Sequence, residues 1–291
     1  ADYKKDVLDA GPKSPIKSGK LEHEIVDRPV YYYIGWNMED PLFEDRKVRL
    51  AMTHAFDRRR MIDDVLHGLG EITHGHFLPG HPANNPKIEP YEHNLEKART
   101  LLTEAGWEDT NGDGIRDKMI DGNRKNFEFT MTAYANSPTV KSYLSIFKED
   151  LRKLGVVMQP SFLDWSMMQK KMDQRSFQAF TGAWALSWSI DPHQIWHSSQ
   201  INKAKGSNRV AFRNERADEI IDELRRTFDE EKRLDLLHEF DMILHEQQPY
   251  TFFYARKDPF VWRPRVENVV FQKVRPVDFA LPWYVKDANP K

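Results

Sequence analysis

The sequence predicts an α/β protein whose mixed sheet is flanked by helices on both sides. Strand and helix patterns alternate between Phe127 and Trp184 in the order β-α-β-α-β, which is typical of a sheet with helical crossovers. Several apolar stripes at helical spacing start after capping residues and stop at glycines. The 291 residues include 12% aromatic side chains, which is enough to fill a real core and unlike a disordered chain.

The first part of the chain contains an irregular lead-in and one strand. Residues 1–29 are predicted to be irregular, because Gly11–Lys20 is rich in Gly, Pro, Ser and Lys. Val30–Trp36 is β-branched and aromatic, which favours a strand.

Three helices and a long loop follow. Arg46–Ala55 has apolar residues at helical spacing, and Asp57 is placed to cap a second helix. Residues 71–93 contain four prolines and predict a loop that wraps over a surface. Asn94 is predicted to cap a helix that runs to Ala105 and ends at a glycine.

The middle of the chain supplies the crossover unit. Its three strands are predicted over Phe127–Tyr134, Val156–Phe162 and Phe177–Trp184. The helices between them are predicted over Pro138–Leu154 and Trp165–Met172.

The last third is predicted to hold two helices and two strands. The first helix spans Asn214–Thr227, and the second follows an Asp229 cap. The strands are predicted over Tyr250–Ala255 and Val269–Val274.

Composition excludes several classes of function. A net charge of -2 provides no field that would attract nucleic acid, so no nucleic-acid partner is expected. The chain has no cysteine, which excludes disulfide scaffolds, thiolate metal sites and cysteine nucleophiles. Phosphate loops, dinucleotide-binding motifs and nucleophile elbows are absent from the sequence, and no catalytic residue is predicted.

One loop matches the first half of an oxygen-ligand calcium site. Asp109, Asn111 and Asp113 alternate, and Asp117 stands at the ninth position. The twelfth position is Ile120, where an EF-hand has a bidentate Glu. The sequence therefore predicts a polar turn with weak calcium binding at most, and no other cofactor.

Histidines occur in two further groups. His74, His76 and His81 lie in the proline-rich loop, but their spacing fits no standard zinc site. His238 and His245 are seven apart, not the four that a helical zinc-binding pair requires. Both groups are predicted to be solvated.

The most informative segment follows the third strand of the crossover unit. Between Trp184 and Trp196 it combines flat apolar rings with a few polar groups, which suit the wall of a ligand cleft. We take Trp184, Ser187, Trp188 and Asp191 as candidate ligand-binding residues. The competing interpretation is a strand end packed in the core, with Asp191 capping the next helix.

Several segments together resemble the family 5 extracellular solute-binding proteins, which are the oligopeptide-, dipeptide- and nickel-binding proteins of bacterial ABC importers. The segments that carry the resemblance are Pro41–Met52, Ala55–Ile62, Ala98–Trp107, Trp184–Pro192 and Leu244–Pro249. They occur in the family's order, and the resemblance extends from about Tyr31 to Val285.

The resemblance implies a fold, a location and partners. The fold would be a lobe of a type II periplasmic binding protein, with residues 30–255 forming the ligand-binding lobe. Residues 256–291 would return to complete another lobe, and the chain would be the C-terminal half of a longer protein. A peptide or related small solute and a membrane ABC permease would be its partners, and the protein would be periplasmic or extracellular, with a membrane anchor allowed.

The resemblance also gives Ser187 a role. In the family, an Asp in the cleft segment pairs with the ammonium group of a bound peptide. Counting back from Asp191 and Pro192 puts Ser187 at that position. A hydroxyl offers a hydrogen bond without charge, so this residue departs from the pattern for simple peptides.

Two other functions remain open at this stage. Carboxylates that are distant in the sequence could still form the acid and base of a hydrolase. The chain could also be the sensing lobe of a signalling protein.

Overall fold

The computed structural model describes residues 3, 5, 11, 14–187, 191–272, 277 and 282–286. The strands within these ranges are β1 (Glu22–Trp36), β2 (Gly70–Ile72), β3 (Asp117–Ile120), β4 (Asn123–Asn126), β5 (Glu128–Tyr134), β6 (Val157–Leu163), β7 (Ala179–Ala185), β8 (Tyr250–Trp262), β9 (Val266–Glu267) and β10 (Tyr284–Val285). The α-helices are α1 (Arg46–Ala55), α2 (Arg58–Asp64), α3 (Leu95–Glu104), α4 (Pro138–Lys153), α5 (Trp165–Asp173), α6 (His193–Trp196), α7 (Glu215–Leu224) and α8 (Glu230–Gln247).

Side-chain caps explain where most of these helices begin. Four helices, α3, α4, α7 and α8, each begin at a residue whose side-chain oxygen accepts a hydrogen bond from a backbone N–H of the first turn. These accepting residues are Asn94, Ser137, Asn214 and Asp229 respectively. Asp57 does the same for α2. The predicted caps at Asn94, Asp57 and Asp229 are therefore confirmed.

The main sheet has six strands in the order β2-β8-β1-β7-β5-β6. Strands β5, β6 and β7 are parallel, which confirms the predicted crossover unit. Strand β1 is antiparallel to β7 and to β8, so the sheet is mixed, as predicted. Strand β1 lies at its centre, between the last strand of the crossover unit and the long strand β8.

Alternation along the strands creates a core on each face of the sheet. Tyr31 and Tyr33 contribute to one core, while Ile34 and Trp36 point to the other. Helices α1, α3 and α4 cover the Trp36 side, and α5 to α8 cover the Tyr33 side. The prediction of helices on both sides of the sheet is therefore confirmed.

The predicted irregular lead-in is wrong over its last part, because β1 begins at Glu22. Residues Glu22 to Asp27 pair with Lys257 to Trp262 of β8. Most of this segment is exposed, so it lacks the alternation of a half-buried strand. Backbone pairing with β8, rather than burial, makes it a strand. The division into a lobe and a returning segment stays a prediction.

Two further differences concern short strands. The hairpin β3–β4 was not predicted, although its turn is Asp121-Gly122, with both residues at positive φ, a strong hairpin signal. The late strand predicted over Val269–Val274 is wrong for residues 269–272, which form no strand, and residues 273 and 274 lie outside the described part. A short antiparallel pair, β9–β10, occurs instead.

Buried polar contacts hold the proline-rich segment against the rest of the protein. His74 Nε2 lies 3.0 Å from Asp241 Oδ2 of α8, and the backbone N–H of Asn85 donates to the same oxygen at 3.0 Å. The guanidinium of Arg58 donates to the carbonyl of Tyr91. The segment is therefore a packed part of the structure.

Among the described residues, none of the helices is both long and apolar enough to cross a membrane.

Candidate functional site

A cavity of about 490 Å³ opens at the carboxyl end of β7. Its lining includes three of the candidate residues, Trp184, Ser187 and Asp191. The fourth, Trp188, lies outside the described residues. The N-terminal half of β1 forms part of the wall because β1 runs antiparallel to β7, with Val30 opposite Ala185.

Stacked aromatic rings support the Trp184 side of the cavity. The ring of Trp184 lies parallel to that of Tyr33, with centroids 6.4 Å apart, and Tyr33 stacks on Tyr250 at 3.9 Å. The indole Nε1 of Trp184 donates to the hydroxyl of Tyr250 at 3.3 Å. Trp184 is only partly buried, so it presents a fixed flat surface to the cavity.

A glycine makes this stack possible. A Cβ atom at Gly182 would lie 2.5 Å from Cζ of Tyr33, well inside van der Waals contact. The absent side chain at Gly182 therefore leaves the space that the Tyr33 ring occupies on the face of β7.

The proline-rich segment supplies a second wall through residues 76–81. His76 is buried, and its Nδ1 lies 3.0 Å from the hydroxyl of Tyr31. Burial, with a smaller contribution from His81, lowers the pKa of His76 to about 3. The imidazole is therefore neutral at physiological pH, and His76 adds no charge to this wall of the cavity.

Asp191 stands at the entrance to α6. Its Oδ1 accepts the backbone N–H of His193, the first residue of α6, at 3.1 Å, although the N-cap residue itself is Pro192. Its Oδ2 accepts from Arg225 at 2.6 Å. Burial raises the pKa of Asp191, but the hydrogen bonds from Arg225 and His193 outweigh it and hold the pKa below its usual value. Asp191 therefore remains an anion whose charge is paired with Arg225.

Ion pairs also neutralise other charges around the cavity. Lys257 Nζ lies 2.8 Å from Glu71 and 3.4 Å from Asp27. Arg28 Nε lies 2.7 Å from Asp258. The wall therefore combines the apolar surface around Trp184 with the carboxylates of Glu24, Asp27 and Glu71.

Ser187 is exposed at the rim of the cavity, just after β7. The backbone N–H of the preceding residue, Leu186, donates to the carbonyl of Pro29 at 2.8 Å, which holds the end of β7 against β1. A backbone hydrogen bond therefore holds the residue that directly precedes Ser187.

The Asp109 loop lies away from the cavity and satisfies its oxygens internally. Asp109 accepts from the backbone N–H groups of Gly112, Asp113 and Gly114. Asp117 accepts from the backbone and the hydroxyl of Thr110, and that hydroxyl holds the pKa of Asp117 below its ordinary value.

Of two further contacts, one joins two side chains of the loop and the other involves a residue of β4. The amide of Asn111 donates to Asp113 at 2.9 Å, and Arg124 lies 3.6 Å from Asp117. These contacts are those of a tight polar turn.

Sequence reasoning missed the second wall and predicted solvated histidines there. His74 and His76 are instead buried, because the proline-rich segment packs against α8 and β1. The prediction for α8 is also wrong for His245, which is buried and stacks on Tyr91 at 4.2 Å. Sequence periodicity gives no signal for the burial of His74 and His76, since the proline-rich segment has neither helical nor strand periodicity.

Comparison with known proteins identifies the family. The model of the bacterial extracellular solute-binding proteins, family 5 middle region, matches residues 5–207. The chain belongs to this family. The predicted resemblance to this family is thereby confirmed.

Named relatives of this family 5 protein agree. The oligopeptide-binding protein AppA of Bacillus subtilis is 34% identical over 262 residues, covering 88% of this chain and 47% of AppA. The structure of AppA in complex with a nonapeptide superposes with a TM-score of 0.81 at 31% identity, over 98% of this chain and 54% of AppA. The fold is therefore that of a periplasmic binding protein, as predicted.

A more distant structure supports the same fold. The oligopeptide-binding protein of Thermus thermophilus, solved with a pentapeptide, has a TM-score of 0.76 at 23% identity, over 90% of this chain and 47% of that protein. The family 5 chain thus spans about half the length of the relatives it matches.

Proposed function

We propose that the intact protein captures a peptide or a related small solute and delivers it to an ABC permease in the membrane. The observation that carries this proposal is the cavity of about 490 Å³ at the carboxyl end of β7, lined by Trp184, Ser187 and Asp191. Ligands of open α/β sheets bind beyond the carboxyl ends of the strands. Family membership and the oligopeptide-binding name of the relative AppA support a peptide as the first solute class to test.

Binding needs no covalent chemistry in this proposal. Trp184 would provide a flat apolar surface for a solute side chain, and Ser187 would provide a neutral hydrogen bond. Closure of a second lobe over the cavity would bury the solute and account for most of the affinity. We assign no catalytic role to any residue, and we propose that the protein acts outside the cytoplasm, as the family description implies.

The test is titration of the intact protein with a nonapeptide, followed by calorimetry and tryptophan fluorescence. Trp184→Ala should weaken binding by about tenfold or more, since loss of a buried aromatic contact costs about 1.5 kcal/mol or more. Trp165→Ala is the matched control, because Trp165 is 55% exposed and is not among the residues that line the cavity.

Three results would contradict the proposal. They are no peptide binding by the intact protein, equal effects of the two tryptophan variants, and cleavage of the peptide during incubation, detected by mass spectrometry. Cleavage would favour the hydrolase that sequence reasoning left open.

A further inference from the structure

Two histidines at the two ends of α6 converge with an aspartate of α7: His193 is the first residue of α6, and His197 directly follows its last. His193 and His197 are four residues apart, and their ring centroids lie 4.6 Å from each other. Asp222 of α7 brings Oδ1 to 3.6 Å from Nε2 of His197. One nitrogen or oxygen from each of the three residues lies within 4.8 Å of the others. Among the described residues, this is the group of His and acidic side chains whose ligand atoms lie close enough together to hold one metal ion.

We propose that His193, His197 and Asp222 bind a divalent first-row transition metal ion, with Zn²⁺ as the representative. Imidazole nitrogens and a carboxylate oxygen are ligands that zinc, nickel and copper accept, whereas Ca²⁺ and Mg²⁺ prefer sites made of oxygen alone. Two histidines at a spacing of four are a recurrent zinc-binding arrangement. Sequence analysis examined His238 and His245 for this spacing but missed the pair that has it.

The distances are close to those that a bound ion requires. Metal–ligand bonds of about 2.1 Å in a tetrahedral site separate the donor atoms by about 3.4 Å. The His197–Asp222 separation of 3.6 Å already approaches this value. The side chain of Asp222 is 55% exposed, so a small change in its rotamer can complete the approach without disturbing the core.

Asp218 faces Nδ1 of His197, the ring nitrogen that is not proposed to bind the metal. Its Oδ1 lies 3.8 Å from Nδ1 of His197, and it also accepts from the backbone of Ser198 at 2.9 Å. A metal ion on Nε2 requires the ring proton to sit on Nδ1, which accepts from Ser199 N–H in the present conformation. A slight rotation of the ring would exchange that contact for Asp218, the carboxylate partner that metal-bound histidines commonly have.

The surroundings favour a cation. His197 and Asp222 lie on the wall of a shallow depression of about 580 Å³, which also carries Asp218, Glu215, Glu219 and Arg213. Arg213 pairs with Glu39 at 2.7 Å, so part of its charge is compensated there. The nearby Arg225 is bound to Asp191. Acidic groups therefore outnumber cationic ones around the cluster.

The proposed metal site is separate from the solute cavity and does not rest on the proposed function. On α6, Gln194 and Ile195 line the solute cavity, whereas His193 and His197 are absent from its lining. Loss of peptide binding and loss of metal binding can therefore be measured independently.

The experiment is calorimetric titration of the intact protein with Zn²⁺ at pH 7, without peptide. We expect one site, and we expect His193→Ala, His197→Ala and Asp222→Asn each to weaken it by at least tenfold. His23→Ala is the matched control, because His23 is an exposed histidine on β1, outside the cluster, and its replacement should change the affinity by less than twofold. Mg²⁺ at the same concentration should not compete.

Two further measurements keep the outcome clear. Circular dichroism of each variant checks that the fold is retained, and anomalous diffraction at the zinc absorption edge should locate the ion between His193, His197 and Asp222. The proposal would be overturned by a wild-type Kd for Zn²⁺ weaker than about 1 mM, or by an unchanged Zn²⁺ affinity in the double variant His193→Ala, His197→Ala. An ion located at another position would also overturn it.

Discussion

At the residue scale, Ser187 places a neutral hydroxyl at the rim of the cavity. The resemblance to family 5 assigns this position to the group that meets a peptide ammonium, and an exposed serine there offers a neutral hydrogen bond. The only carboxylate nearby in sequence, Asp191, is bound to Arg225. Selection for a free amino terminus should therefore be weak in the natural protein.

Ser187→Asp should introduce that selection. A charge-assisted hydrogen bond is worth about 1.5–3 kcal/mol, so free peptides should gain about 10- to 100-fold in affinity over their N-acetylated forms. Calorimetry with matched pairs of peptides measures the ratio. Ser176→Asp, at an exposed serine away from the cavity, should leave the ratio unchanged. An unchanged ratio in Ser187→Asp would show that the hydroxyl does not stand at the ammonium position.

Sequence reasoning found one side of the cavity and missed the other. Trp184 and Asp191 could be predicted because they flank a strand end, where both chemistry and local geometry are readable. His76 could not, because its environment is set by Tyr31, which is distant in the sequence and lies on another element. The burial that makes its imidazole neutral exists only after the proline-rich segment has packed.

At the element scale, the Asp109 loop joins α3 to the hairpin β3–β4. Because its carboxylates already accept hydrogen bonds from their own loop, a cation gains little by replacing those donors. We expect Ca²⁺ to bind with a Kd no tighter than about 0.1 mM.

Calorimetric titration with Ca²⁺ checks this, with Asp109→Asn as the site variant and Asp121→Asn, in the turn of the hairpin, as the control. Whatever weak binding occurs should disappear only in Asp109→Asn. Submicromolar affinity would contradict the prediction and would mean that the loop rearranges to supply the missing bidentate ligand.

Element boundaries were predictable where a local cap or stop sets them. Asn94 begins α3 and Gly106, at positive φ, follows its end, so this helix was predicted almost to the residue. The first half of β1 was not, because three of the six residues from Glu22 to Asp27 are carboxylates and five of the six are exposed. Its conformation depends on pairing with β8, a partner more than 200 residues away that no local pattern reveals.

At the scale of the whole molecule, buried neutral histidines link stability to pH. Burial lowers the pKa of His76 to about 3 and that of His245 to about 4, against an ordinary value of 6.5. Between these values and 6.5 the unfolded chain binds more protons than the folded protein, so the free energy of unfolding falls as the pH falls. Each histidine contributes a slope of up to about 1.4 kcal/mol per pH unit below pH 6.5.

Urea unfolding at a series of pH values from 7 to 5 measures this slope. His76→Gln should reduce the slope relative to the wild-type protein, because a glutamine takes up no proton on unfolding. His23→Gln, at an exposed histidine, should leave it unchanged. Identical slopes in the wild-type protein and His76→Gln would contradict the prediction.

The central place of β1 in the sheet has a consequence for how the chain folds as it is made. Strand β1 is made before both of its neighbours, β7 and β8, which end only at Ala185 and Trp262. At about 5–20 residues per second, the interval between β1 and the end of β8 lasts on the order of 10 s or more. Until Ala185 has been made, the tyrosine-rich strand has neither neighbour, and until β8 follows, one of its hydrogen-bonding edges stays open to other chains. The order of the strands thus delays completion of the sheet around β1, and a chaperone that binds extended apolar segments would find β1 as a target.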